Sequence, residues 1–170
     1  IAPGLRFGYH ETVTDKLAGQ LSHGGANTSG GTPSQLNSMI VGTMLKNGSA
    51  ATLLNQLRST YAERAETMYA AVKGYMPKNT KFEKPEGGYF SWLTLPQGYD
   101  AHEIGKRLQQ EFQVTVANGD HFEVKGDTRG WGKSSMRLSL SFLECNEIEE
   151  GIKSMGKICS AYAKERDLVF

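Results

Sequence analysis

The sequence predicts an α/β fold, with a mainly helical first half followed by a compact layer of strands and helices. The first half contains segments in which apolar residues recur with the spacing of amphipathic helices. The second half alternates short aromatic or β-branched segments with segments that begin at capping residues. The 170 residues are enough for one domain, or for one domain with part of another, and can bury a core without a disulfide or a metal.

The first half is predicted to contain one short strand and three helices. The strand is expected at residues 5–9, after a Pro-Gly turn. A short amphipathic helix is expected at residues 14–21, followed by a glycine-rich loop at residues 23–33. Helix resumes at residues 32–48, where a threonine and a proline provide an N-cap and a first-turn proline. A third and longer helix keeps its apolar spacing over residues 49–76 and ends before a proline.

The second half is predicted to form three strands and two helices. Both helices are expected to begin at capping boxes, the first formed by Asp100 with Glu103 and the second by Asn146 with Glu149. The strands are expected at residues 89–95, 114–116 and 135–142. The predicted order of elements, which is strand, helix, strand, strand and helix, indicates a compact α/β layer.

Composition and charge argue against several classes of protein. The formal net charge is +1, from 19 Lys+Arg and 18 Asp+Glu, and there is no long basic run, so we expect no nucleic-acid partner. The apolar runs fall short of the roughly 18 residues that a membrane-spanning helix needs, so we expect no membrane association. The 2 cysteines are predicted to be free thiols, and the histidines lack the spacing of a metal site.

Arg137 is the first candidate binding residue. In residues 136–142 (MRLSLSF) the apolar residues occupy the even positions, so Arg137, Ser139 and Ser141 share the polar face of a strand. A guanidinium among small hydroxyls suits bidentate binding of a carboxylate, because its planar donor fork matches two oxygens. From the pattern alone, a solvent-facing arginine on a half-exposed strand is the favoured interpretation.

Arg6 is the second candidate, because the glycines around it allow close approach of a phosphate or carboxylate. A surface arginine near a turn is again the favoured alternative. The glycine-rich residues 24–31 are compatible with anion binding but match neither GxGxxG nor GxxxxGK[ST], so a flexible connection is the default interpretation. Phe90 and Trp92 are predicted to pack in the core rather than line a ligand pocket.

Four segments together resemble the class I/II aminotransferases, the fold-type-I pyridoxal-phosphate enzymes. The segments are residues 2–9 (APGLRFGY), 87–92 (GGYFSW), 114–122 (VTVANGDHF) and 136–152, which contains RLSLSF and EIEEGI. They occur in the order that the family shows and extend over nearly the whole chain. One departure is Asn118, which stands where the family usually has proline and is expected to loosen that loop without removing a ligand.

The resemblance implies roles for particular residues. Arg6 matches the arginine that binds the cofactor phosphate in the family, and Arg137 matches the arginine that binds the α-carboxylate of the substrate. Asn27 and Thr28, in a loop that family members send toward the neighbouring subunit's active site, are expected to contribute to substrate binding. The implied cofactor is pyridoxal 5′-phosphate, and no metal is expected.

The resemblance also implies how the chain is organised. Residues 1–48 are expected to complete a large cofactor-binding domain, and residues 49–170 to form a bridging helix and a small α/β domain. The lysine that forms the Schiff base is expected upstream of Ile1, as are the residues that hold the cofactor ring. The chain is therefore expected to be the C-terminal part of a longer protein, to contain no catalytic residue of its own and to be inactive alone.

The implied activity of the whole protein is transfer of an amino group between an amino acid and a 2-oxo acid. The whole protein is expected to be a homodimer in the cytoplasm, with a mitochondrial location left open. Two alternative functions are consistent with the same resemblance. One is an aminotransferase-like sensor domain of a transcriptional regulator, and the other is a pyridoxal-phosphate β-lyase of the same fold. The residues that separate the three are expected outside this sequence.

Overall fold

The computed structural model of the chain describes residues 3–6, 8, 11–24 and 34–170. The chain divides into two compact units, Ile1–Arg58 and Ser59–Phe170, and the boundary falls inside one long helix.

Five α-helices are formed by the described residues. They are α1 (Asp15–Ser22), α2 (Gln35–Lys46), α3 (Ser49–Tyr75), α4 (Ala101–Phe112) and α5 (Cys145–Arg166). Two of these helices are capped by the residue at which the sequence predicts that they begin. The Thr14 hydroxyl accepts a hydrogen bond from the Leu17 backbone N–H at 3.3 Å, and the Asp100 carboxylate accepts one from the Glu103 N–H at 3.0 Å.

The capping box predicted at Asn146 is wrong by two residues. Helix α5 is instead capped by Glu144, whose backbone N–H donates to the Glu147 carboxylate at 2.8 Å. The side chain of Glu144 in return accepts a hydrogen bond from the backbone of Glu147. Glutamate is not a preferred N-cap residue, so the sequence pattern favoured the small polar residue Asn146 as the beginning of the helix.

The first unit contains α1, α2 and the beginning of α3. The strand predicted at residues 5–9 is wrong for its first residues, because Pro3–Leu5 forms a 3-10 turn and Arg6 has a positive φ of 50°. Proline at the start of this turn has its φ already fixed near the helical value, which favours the turn over an extended strand. The rest of the predicted strand lies mostly outside the described residues.

The second unit is built on a four-stranded antiparallel sheet with the strand order β1-β2-β4-β3. Its strands are β1 (Lys81–Phe82), β2 (Phe90–Thr94), β3 (Ala117–Asn118) and β4 (Ser135–Ser139). The strand predicted at residues 114–116 is displaced toward the C-terminus. Pairing with β4 begins at Ala117, while the valines before it pack against the core as partly buried side chains.

One face of the sheet packs against helices, and the other face is open. The packed face carries Leu93 of β2 and Met136 and Leu138 of β4, with at most 4% of each side chain exposed. The helices add the rest of the core, including Met68, Ile104, Leu108, Ile152 and Met155. Burial of this apolar surface is the main stabilising term of the unit and fixes which residues of β2 and β4 face outward.

Arg64 of α3 ties this helix to the end of β4 and to the start of α5. It is 8% exposed and donates hydrogen bonds of 3.0 Å to the Ser141 carbonyl and to the Glu144 carboxylate. The Glu144 side chain is 73% exposed, so solvent screens the ion pair. The bond to the part-buried backbone carbonyl therefore contributes more than the ion pair.

We expect Arg64→Ala to lower the free energy of unfolding by about 2–3 kcal/mol, because a hydrogen bond from a charged donor is lost and a backbone carbonyl is left unpaired. Urea denaturation followed by circular dichroism measures the change. The matched control is Arg58→Ala on the exposed surface of the same helix, which is expected to change stability by less than about 0.5 kcal/mol. Equal effects of the two substitutions would contradict the role given to Arg64.

Candidate anion-binding sites

Arg137 lies in the middle of β4 on the open face of the sheet. Its Cα is paired with that of Trp92 on β2 and with that of Ala117 on β3, so strands flank it on both sides. The side chain is half-buried, and the alternation along β4 turns Met136 and Leu138 to the opposite, buried face. The sequence analysis placed Arg137 on the polar face, and this placement is confirmed.

Aromatic rings surround the guanidinium of Arg137. Its Cζ lies 3.9 Å from the centroid of the Phe90 ring and 4.9 Å from that of the Phe122 ring. Within the described part of the chain, Arg137 makes no hydrogen bond and no ion pair. A permanently charged donor fork that is stacked on rings and not neutralised by a carboxylate is suited to bind an anion from outside.

The prediction that Phe90 and Trp92 pack in the core is wrong. Phe90 is 50% exposed and Trp92 is 36% exposed, and both lie on the open face with Arg137. Ser91 and Leu93 occupy the buried side of the same strand. A strand sends alternate residues to opposite faces, so the aromatic residues had to follow the face opposite to Leu93. Their size and apolar character suggested the core, but the strand register decides the face.

The aromatic surface extends beyond these residues. Trp92 meets Phe122 edge-on with ring centroids 5.4 Å apart, and it lies 5.7 Å from the centroid of Trp131. The edge-to-face pair of Trp92 and Phe122 adds a favourable quadrupole interaction to the apolar contact. Phe122 and Trp131 come from 3-10 turns on either side of a loop, and the sequence analysis named neither as a site residue. No local pattern identifies them, because only the folded chain brings them to β2.

The acidic residues of the loop between these turns are engaged within the loop. Glu123 accepts a hydrogen bond of 2.7 Å from the backbone N–H of Gly132. Asp127 accepts three hydrogen bonds from the Arg129 guanidinium, at 2.9, 3.1 and 2.7 Å, and one of 3.1 Å from the Trp131 indole. The pKa of Asp127 is lowered from its ordinary value of 3.8 to about 2. The largest cause is the hydrogen bonding of the Arg129 side chain, followed by the Arg129 backbone N–H and then by the Trp131 indole.

This lowered pKa predicts how the loop responds to pH. Ionised Asp127 stabilises the folded loop above its ordinary pKa of 3.8, and that contribution is lost as the pH falls through about 2. We expect tryptophan emission to stay constant from pH 5 to 3, because Trp131 keeps its hydrogen bond. In Asp127→Asn, emission is expected to be shifted to longer wavelength already at pH 7. Unchanged emission in the variant would contradict the anchoring role, provided that circular dichroism shows an intact fold.

Arg6 follows the 3-10 turn of the first unit, and its side chain is exposed. Asn37 of α2 donates a hydrogen bond of 2.5 Å to the carbonyl of Leu5 and so fixes the peptide that precedes Arg6. No described residue forms a hydrogen bond or an ion pair with the Arg6 side chain. Open space surrounds Gly4, where an added Cβ would meet no atom within 4 Å. As far as the described residues extend, no partner occupies the guanidinium, which suits the binding of an anion.

Residues 2–155 of the chain match the family model described as aminotransferase class I and II. The chain belongs to this family. The match includes both arginines of the candidate sites and all strands of the sheet. The family that was inferred from four sequence motifs is thereby confirmed.

The chain is similar over most of its length to two relatives. It is 55% identical over 163 residues to an uncharacterized protein of Saccharomyces cerevisiae, covering 96% of the chain and 37% of that protein. It is 30% identical over 160 residues to 2-aminoadipate transaminase of Thermus thermophilus, and this match covers 92% of the chain and 38% of that enzyme. The chain spans less than half of the length of these relatives.

A solved structure supports the same assignment. The crystal structure of α-aminoadipate aminotransferase from Thermus thermophilus, complexed with N-(5′-phosphopyridoxyl)-L-leucine, is 28% identical and superimposes with a TM-score of 0.76. The match covers 97% of this chain and 40% of that one. The predicted fold class, the C-terminal part of a fold-type-I aminotransferase with a small α/β unit, is confirmed.

Two predicted site residues of this aminotransferase chain cannot be placed. Asn27 and Thr28 lie outside the described residues, as does most of the glycine-rich loop. Among the residues that the structure describes, no group of three or more His, Cys, Asp or Glu side chains is arranged to hold a metal ion. The described helices also include none that is both long and apolar enough to cross a bilayer.

Proposed function

We propose that the chain is part of a pyridoxal-phosphate-dependent aminotransferase, and that the whole protein moves an amino group between an amino acid and a 2-oxo acid. The observation that carries the proposal is the guanidinium of Arg137 on the open face of the sheet, which has no hydrogen-bond or ion-pair partner among the described residues. Every amino acid and every 2-oxo acid carries a carboxylate beside the reacting carbon. A fixed arginine fork therefore orients both substrates in the same way.

The residues of the first unit fit the proposed cofactor. Arg6 is exposed, has no described partner and follows a backbone that Asn37 anchors, which suits binding of a phosphate. When it is bound, pyridoxal phosphate supplies the electron sink that lets a bond at the amino-acid α-carbon break. In this proposal Arg6 holds the phosphate and Arg137 holds the substrate carboxylate.

Further parts of the proposal are supported by the resemblance alone. Asn27 and Thr28 would contribute to substrate binding from a loop near the neighbouring subunit. Residues 1–48 would complete the large domain, and residues 49–170 would form the bridging helix and the small domain. The whole protein would be a cytoplasmic homodimer, which size-exclusion chromatography with light scattering and localisation by fluorescence microscopy would test.

The proposal is tested with the full-length protein that carries this chain. We expect each accepted amino acid to be converted to its 2-oxo acid beyond one equivalent of enzyme only when a second 2-oxo acid is supplied as acceptor of the amino group, with no release of ammonia. Chromatography of the keto and amino acids together with an ammonia assay measures both. Ammonia release would instead indicate a β-lyase. Absence of transfer with all common amino acids, in protein that retains the cofactor, would favour a sensor domain and contradict the proposal.

A further inference from the structure

We propose that Phe90 and Phe122 are positioning residues that hold the Arg137 fork ready for the substrate carboxylate. The inference rests on the proposed function and deepens it, because it names what fixes the binding group. The starting observation is that Cζ of Arg137 lies 3.9 Å from the Phe90 ring centroid and 4.9 Å from the Phe122 ring centroid.

Stacking on rings restrains an arginine without using its hydrogen-bond donors. The ring faces attract the positive charge of the guanidinium, while the N–H groups point outward in the guanidinium plane. A protein carboxylate at the same place would also restrain the side chain, but it would occupy the fork and compete with the substrate. The aromatic contacts therefore reduce the entropy that Arg137 loses on binding and leave its donors available.

The carboxylates of the loop between Phe122 and Trp131 do not compete with the substrate for Arg137, because each has a partner within the loop. Glu123 is bonded to the backbone of Gly132, and Asp127 is bonded to Arg129 and to the Trp131 indole. Both acidic side chains are thus engaged within the loop while Arg137 has no described partner. This arrangement keeps the fork free although the loop contains two acidic residues.

The position of Phe122 is itself fixed. It ends a 3-10 turn whose first residue, Gly119, is buried against the backbone of Gly132 and Ser135, where a Cβ would overlap both. Its ring meets the edge of Trp92, and Trp92 lies against Trp131. Phe122 is therefore held by its backbone on one side and by a ring on the other, as a positioning role requires.

The kinetic test uses the full-length protein with Phe122→Leu, which keeps an apolar side chain but removes the ring face. We expect the KM for the amino acid to rise about tenfold, equivalent to about 1.4 kcal/mol, with kcat within about twofold. Phe122→Tyr, which restores a ring, is expected to recover the wild-type KM. Phe90→Leu, at a site that is 50% exposed and so tolerant of substitution, is expected to act in the same direction.

The matched control is Phe112→Leu at the end of α4. Phe112 is 37% exposed, close to the 39% of Phe122, and its ring also lies near a cation, with the Lys157 Nζ at 5.6 Å from the centroid. This variant is expected to leave the KM unchanged. An unchanged KM in both Phe122→Leu and Phe90→Leu, or an equal rise in Phe112→Leu, would overturn the inference.

A second readout separates this inference from the proposed function. In the 170-residue chain, NMR of the arginine side chains should show Arg137 shifted by the ring currents of the aromatic residues, and the shift should diminish in Phe90→Leu and Phe122→Leu. Titration with succinate should move the Arg137 signals at lower concentration in wild type than in Phe122→Leu. If the full-length protein transfers no amino group, the proposed function fails, and the NMR signals of Arg137 alone then test the positioning role of the two rings. Equal succinate titrations in the two proteins would overturn the positioning role.

Discussion

Replacement of Arg137 by lysine is expected to lower kcat/KM for the amino-acid substrate about 10- to 100-fold while the cofactor stays bound. Lysine keeps the positive charge but offers a flexible point charge in place of a planar fork, so the bidentate geometry is lost. A hydrogen bond to a charged group is worth about 1.5–3 kcal/mol, which gives the expected range. Lysine also loses the contact of the guanidinium with the Phe90 ring, whose centroid lies 3.9 Å from the Arg137 Cζ.

Steady-state kinetics and equilibrium dialysis of the cofactor, both on the full-length protein, measure this prediction. The loss is expected mainly in KM, because the carboxylate is bound throughout the reaction. Arg58→Lys, an exposed arginine-to-lysine change on α3, serves as the control and is expected to have no effect. Unchanged substrate affinity together with loss of cofactor from Arg137→Lys would show that the carboxylate role is assigned to the wrong arginine.

Replacement of Arg6 by alanine is expected to produce the opposite pattern, with cofactor affinity falling about 10- to 100-fold. A charge-assisted contact to the phosphate is removed, while the substrate-binding arginine is intact. Equilibrium dialysis gives the dissociation constant of the cofactor. The KM for the amino acid, measured at saturating cofactor, is expected to change by less than about threefold.

The backbone of Arg6 supplies a control for this experiment. Its φ of 50° is the left-handed conformation, which glycine adopts without strain. Arg6→Gly therefore removes the same side chain while relieving the backbone, and we expect it to lose the cofactor to the same extent as Arg6→Ala. If only the alanine variant lost the cofactor, the cause would be the turn and not the phosphate contact.

Much of the fold could be predicted because local signals agree with the packing. The long apolar period of α3, the Asp100 cap of α4 and the alternation around Arg137 each place a polar or apolar group where the folded chain needs it. The strand at residues 114–116 was displaced because its valines pack on the core without pairing in the sheet. The short β1 was missed, since two residues carry no usable period.

The candidate site was only partly predictable for a physical reason. Arg137 stands in a strand whose alternation is visible in the sequence, so its face could be inferred. Phe122 and Trp131 reach Arg137 and Trp92 through tertiary contacts that no spacing encodes. Phe90 was assigned to the core because aromatic residues are usually buried, but here its ring is the surface on which the arginine stacks.

The central claim is that Arg137 binds the α-carboxylate of an amino-acid substrate in a pyridoxal-phosphate aminotransferase. The most direct measurement compares kcat/KM for an accepted amino acid with kcat/KM for the amine that lacks only its carboxylate. We expect wild type to prefer the amino acid strongly, and Arg137→Ala to reduce this preference about 100-fold, because the group that recognises the carboxylate is gone. An equal preference in wild type and variant would contradict the claim.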